Sequence, residues 1–231
     1  MQDHPHPALR WLVLLGALFV FACGIVLGEN PDMEWEPQEE EEVEVIEEDF
    51  DSRGNFEITD SDIDIEDGSV NWEIHRDGGE QFAYREIPRF RGDVRLTVVG
   101  QIDDASNNCA AGAGIGTSPG RGVAINFGYF GGGCSDGGPV ITASGVTLDM
   151  EESSACTFTG HWPWISYGRS YTAELTIRGD SAELDVPGVD EAHGDADYGG
   201  SYDTLWVGAE GDGDRPSCSG SIDSVTIEPL D

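Results

Sequence analysis

The chain has 231 residues, of which 46 are Asp or Glu and 11 are Arg, with no Lys, giving a formal charge of −35. Such a charge repels phosphate backbones and anionic headgroups, so nucleic-acid binding and a basic membrane-surface patch are excluded. The 32 glycines disfavour a helical bundle, because glycine costs up to about 1 kcal/mol inside a helix.

The amino terminus reads as an address. After Arg10, residues Trp11–Gly28 run 18 positions without a charge, as a hydrophobic helix would. Three readings stay open. The segment is long enough to be a transmembrane anchor. Val20-Phe21-Ala22-Cys23 resembles a lipobox, with Cys23 acylated, although Phe21 is bulky for that pattern. Cleavage after Gly28 would make it an ordinary signal peptide. All three place the carboxy-terminal part outside the cytoplasm, since Arg10 precedes the segment and acids follow it.

Residues 29–51 hold 13 acids and no base, which predicts a disordered acidic linker. From residue 52 the pattern changes to apolar alternation, so residues 52–231 form one domain by length. That domain still holds 32 acids against 10 Arg. Concentrated salt, which screens self-repulsion, is one setting such a surface suits; a lineage rich in Arg is the other.

Period-2 alternation between Gly, Asp and Asn clusters predicts strands over Phe56–Ile58, Ile63–Ile65, Val70–His75, Gln81–Glu86, Asp93–Ile102 and Ala113–Thr117. It predicts others over Gly122–Phe130, Val140–Asp149, Tyr171–Arg178, Ala182–Val186, Thr204–Ala209 and Ser221–Glu228. Many short strands with turns between them make an all-β sandwich or barrel. Two hairpins are specific. Tyr171–Val186 turns at Gly179-Asp180, with Leu175, Ile177, Leu184 and Val186 on one face. Ala113–Phe130 turns at Ser118–Arg121, and extending its ladder outward brings Cys109 toward Cys134.

Four cysteines besides Cys23 lie in the domain: Cys109, Cys134, Cys156 and Cys218. They allow three pairings. The hairpin favours Cys109–Cys134 and leaves Cys156–Cys218. Disulfides fit an exported chain. No Cys-x-x-Cys or Cys/His pair suggests zinc, and His75, His161 and His193 read as turn or surface residues.

The carboxy-terminal part resembles the concanavalin A-like lectin/glucanase superfamily, especially its laminin-G-like bacterial members. The resemblance rests on the Tyr171–Val186 hairpin, on Tyr202-Asp203-Thr204-Leu205-Trp206-Val207-Gly208, and on Gly220–Ile227 with its Gly-x-Ile-Asp-x-Val-x-Ile form. It implies an antiparallel two-sheet jelly roll that binds or cleaves glycans, with calcium in many members. The superfamily's glucanases carry Glu-x-Asp-x-x-Glu, which is absent here. The nearest run, Asp60–Glu66, puts its acids on one side and Ile63 and Ile65 on the other, as an edge strand does. Residue 65 is Ile where a calcium loop needs Gly. No Gly-x-Ser-x-Gly elbow occurs, and Gly112–Gly116 has the wrong spacing for a dinucleotide site. Arg-Gly-Asp occurs at Arg91–Asp93 and Arg178–Asp180, the second as a hairpin turn.

Two loops carry ligand chemistry. Residues 158–168 concentrate Trp162, Trp164 and Tyr167, whose rings suit sugar faces. Glu210–Arg215 presents Asp212 and Asp214 as calcium ligands. The expected protein is therefore a membrane-tethered, extracytoplasmic, non-catalytic domain that binds a glycan or envelope polymer. An adhesion module binding protein is the second reading, and a glycoside hydrolase the third.

Overall fold

The computed structural model describes residues 44–59, 62–74, 81–106, 109–129, 139–148, 165–211 and 217–230. Strands β1 (Ile46–Glu48), β2 (Glu57–Ile58), β3 (Ile63–Glu66), β4 (Ser69–Ile74) and β5 (Gln81–Arg91) come first. They are followed by β6 (Val94–Ser106), β7 (Cys109–Ser118), β8 (Arg121–Tyr129), β9 (Val140–Ser144) and β10 (Val146–Leu148). The chain closes with β11 (Tyr171–Arg178), β12 (Ser181–Val186), β13 (Asp190–Ala196), β14 (Ser201–Gly211) and β15 (Ser217–Pro229).

They form two antiparallel sheets. The larger runs β10-β13-β12-β11-β6-β15-β4-β3, with β1 also pairing to β15. The smaller runs β2-β5-β14-β7-β8-β9. Alternation decides which side chains meet between them. Leu96, Val98, Leu175, Leu184, Val225 and Ile227 from the larger sheet share one core with Ala113, Ile115, Ile125, Phe127, Leu205 and Val207 from the smaller. The fold is thus the expected sandwich.

Both specific hairpins form. Leu175 faces Leu184 across β11 and β12. Ile115 faces Val123 across β7 and β8. Asp67 and Gly68 both take positive φ, 54° and 78°, as a two-residue type I′ turn requires between β3 and β4. β3 ends its sheet, with Ile63 and Ile65 buried and Asp64 and Glu66 exposed.

Three expectations change. The linker expected over 29–51 overlaps the sandwich at its far end: Ile46 pairs with Ile227, and Phe50 is fully buried against Phe56. A dense acidic run hid these two apolar side chains. Next, the strand expected over Val140–Asp149 divides at Gly145, φ 76°. β9 stays in the smaller sheet and β10 joins the larger. A side chain at 145 would strike the Gly122 carbonyl, so only glycine lets the chain cross there. Finally, β13 is a strand that its Asp, Glu and His content concealed; among its described side chains Ala192 alone is buried.

The cysteine pairing is also corrected. Cys109 is bonded to Cys218, with Cα atoms 5.8 Å apart, so neither Cys109–Cys134 nor Cys156–Cys218 forms. Register explains this. The residue opposite Cys109 on β8 is Tyr129, and on β14 it is Gly211. β14 belongs to the smaller sheet and β15 to the larger, and Cys218 is the second residue of β15. Both cysteines point into the core, so the bridge spans the two sheets. Such a bond fits an oxidising, extracytoplasmic setting. Cys134, Cys156 and Cys23 lie outside the described residues. Among those residues, no helix is long and apolar enough to cross a membrane, and Trp11–Gly28 lies outside them.

Candidate functional site

The smaller sheet has a second face, turned away from the core, and its composition is unusual. Along β14, Leu205 and Val207 enter the core, so Thr204, Trp206 and Gly208 point the other way. Trp206 is only 6% exposed, yet it is not part of the core between the sheets.

One rung crosses all six strands at this tryptophan. Glu57 of β2 faces Tyr84 of β5, which faces Trp206 of β14. Trp206 faces Gly114 of β7, which faces Ala124 of β8, which faces Ser144 of β9. The rung therefore reads carboxylate, phenol, indole, bare backbone, methyl, hydroxyl. The neighbouring rung runs Phe82, Gly208, Gly112, Asn126, Thr142.

The aromatic half lies on β5 and β14. Phe82 meets Trp206 edge-to-face, with ring centroids 5.6 Å apart and planes at 80°. The Tyr84 hydroxyl donates to Glu57 Oε2 at 2.6 Å. That hydrogen bond, then the carboxylate's charge, raises the Tyr84 pKa above its ordinary value. The polar half lies on β8 and β9, where the Asn126 amide donates to Ser144 Oγ at 3.5 Å.

The glycine seam between the halves is structural as well as spatial. A Cβ at Gly114 would collide with Trp206 Cζ2. A Cβ at Gly208 would collide with the Phe82 ring. Glycine at both positions lets the large rings lie over neighbouring strands. The indole edge over Gly114 is the edge that carries Nε1. Among the described residues, that buried N–H has no acceptor. An orphaned buried donor is costly.

The arrangement suits a flat amphipathic molecule. The rings of Phe82 and Tyr84 accept an apolar face, while Glu57, Asn126 and Ser144 supply hydrogen-bonding groups at the margins. No carboxylate occurs over Ala110–Gly116, Gly122–Gly128 or Thr204–Gly208, but Glu86 of β5, opposite Thr204, and Glu57 of β2 are exposed acids of this sheet.

Of the residues singled out in the sequence, Tyr167 is exposed, and its hydroxyl donates to the Ala105 carbonyl at 3.0 Å. That contact ties it to β6 of the larger sheet. Trp162, Trp164, Asp212 and Asp214 lie outside the described residues. Phe82, Tyr84, Trp206 and Asn126 were missed as a site because they come from strands far apart in the chain. Their alternation with the buried Ala83, Leu205 and Ile125 was the available signal.

No family profile matches the chain. No curated protein matches it either. Solved structures do. A sialidase aligns with TM-score 0.55 at 11% identity over 81% of this chain, which spans only 18% of that protein. The exoplasmic/lumenal domain of VIP36, in a Ca2+/Man3GlcNAc-bound form, aligns with TM-score 0.54 at 11% identity, over 78% of this chain and 86% of that one. A Bacillus licheniformis β-glucanase aligns with TM-score 0.51 at 9% identity, over 82% of this chain and all of that one. The fold is that of the concanavalin A-like lectins and glucanases.

Proposed function

We propose that this is a non-catalytic carbohydrate-binding domain, held outside a membrane by its Trp11–Gly28 segment, that takes a glycan or envelope polymer on the outer face of its smaller sheet. The observation that carries this reading is the rung from Glu57 through Tyr84 and Trp206 to Ser144. It joins the partly exposed rings of Phe82 and Tyr84, which stand beside the buried Trp206, to hydrogen-bonding side chains, as a saccharide with an apolar face and hydroxyl edges requires. The likeness of fold to VIP36, in its Man3GlcNAc-bound form, supports the ligand class. The absence of the glucanases' Glu-x-Asp-x-x-Glu string supports binding over cleavage.

The test is a glycan-array screen of the full chain in high salt, with calcium and then with a chelator. Saccharide binding by the wild-type chain is expected. Phe82→Ala and Tyr84→Ala are each expected to weaken it by roughly tenfold, the scale of one lost aromatic contact. Loss on chelation would assign calcium a part, as expected for Asp212 and Asp214. Absence of glycan binding by the folded chain, or binding indifferent to both substitutions, overturns the site.

A further inference from the structure

The outer face of the larger sheet holds a second group of side chains, with different chemistry. Glu183 of β12 stands directly opposite His193 of β13. Glu191 lies two residues before His193 and so projects from the same face. One donor atom from each of the three lies within 4.8 Å of the other two. His193 Nε2 is 2.8 Å from Glu191 Oε1, and Nδ1 is 3.8 Å from Glu183 Oε2.

We propose that Glu183, Glu191 and His193 bind a first-row divalent transition-metal ion of the zinc class. The donor set selects the ion. Calcium takes six to eight oxygens, whereas an imidazole with two carboxylates suits zinc and its neighbours. The ligand spacing is also near what is needed. Donors around a tetrahedral zinc stand roughly 3.3 Å apart, given bond lengths of about 2.0–2.2 Å. Glu191 meets Nε2 and Glu183 meets Nδ1, so an ion on either nitrogen draws the other carboxylate round to it, a turn these exposed side chains are free to make.

The backbone beneath is rigid enough to hold the three together. β12 and β13 stay in register over six consecutive pairs, from Ser181–Asp195 to Val186–Asp190. Val189 N donates to the Val186 carbonyl at 2.9 Å and closes the connecting turn. Ala182, Leu184 and Val186 anchor β12 in the core, so its outward side chains are fixed in direction.

The electrostatics favour a cation too. Asp185 faces Glu191, and Asp195 projects from β13 on the same side as His193. On the adjoining strand β11, Thr176 faces Glu183 and Glu174 faces Asp185. A divalent ion relieves the mutual repulsion of these carboxylates. Three protein ligands leave coordination positions to water, so the site is open to a further ligand.

The test is calorimetric titration of the full chain with zinc chloride in high salt and excess magnesium chloride, which saturate plain carboxylates. His193→Ala is expected to lose one bound zinc relative to the wild-type chain. The double variant Glu183→Gln, Glu191→Gln is expected to weaken that equivalent by about tenfold or more. All three side chains are exposed, so circular dichroism without zinc should be unchanged and shows that each variant is folded. A wild-type chain that binds no zinc, or a His193→Ala chain with the same stoichiometry and affinity as wild type, overturns the proposal. Neither result bears on glycan binding at the other sheet.

Discussion

Phe50 sits at φ 54° with no exposed surface, between an acidic stretch and the sandwich. Its ring fills the core beside Phe56, and Arg85 lies over Phe56 at 5.7 Å while its Nε meets Glu48 Oε2 at 3.0 Å. Phe50→Ala is expected to destabilise the fold by about 3–5 kcal/mol, the cost of emptying a buried aromatic site. Urea unfolding measures it; an unchanged midpoint would return residues 46–50 to the linker. Tyr202 makes a second residue-scale case. Burial first, then the neighbouring Tyr198 and Asp93, pushes its pKa up to about 12. The folded state keeps this phenol protonated where the unfolded chain has lost the proton. The associated stability is therefore complete below pH 10, the ordinary value, and is lost as pH rises toward about 12. Tyr202→Phe is expected to flatten the fall in thermal midpoint across that window. An identical slope in the variant would remove Tyr202 from the account.

At the scale of elements, β7 and β14 carry the argument. β14 places its aliphatic residues in the core and Trp206 on the far side, and β7 answers with glycine where the indole needs room. Gly114→Val is expected to cost about 1–3 kcal/mol by overpacking and to displace Trp206. Tryptophan fluorescence and the unfolding midpoint together check it; a wild-type spectrum and stability would mean that the seam tolerates a side chain. The disulfide works at the same scale. It joins the first residue of β7 to β15 across a separation of 109 residues. By chain entropy such a link is worth roughly 4–5 kcal/mol. Cys218→Ser should lower stability by about 2–5 kcal/mol, and peptide mapping of the wild-type chain should recover the Cys109–Cys218 cross-link. A map showing Cys109 joined to Cys134 would overturn the observed register-based pairing.

The whole molecule carries a charge of −35 with no lysine to offset it. The nine-stranded sheet shows this most plainly: Glu174, Glu183, Asp185, Glu191 and Asp195 lie on its outer face, and Arg95 meets Glu174 at 3.1 Å and Glu228 at 2.7 Å. Like charges at this density destabilise the compact state until salt screens them. The urea midpoint is expected to rise steadily as sodium chloride goes from about 0.1 to 1 M, where the screening length falls from about 10 to 3 Å. A flat midpoint would show that the surface charges are spaced widely enough to ignore one another.

Alternation is local, and so the architecture was legible along the chain. Ile63 and Ile65, or Leu175 and Ile177, declare a buried side within one strand, and Gly179-Asp180 declares a turn between two. The two-sheet sandwich and both hairpins followed from such short-range patterns. The strand β13 was hidden because three of its outward positions are Glu191, His193 and Asp195, which look like a solvated loop until a partner strand is known. The rung through Trp206 and the bond between Cys109 and Cys218 depend on which strands become neighbours. That choice is made by burial of the two inner faces against each other, a property of the assembled core. It brings together residues that no spacing along the chain connects.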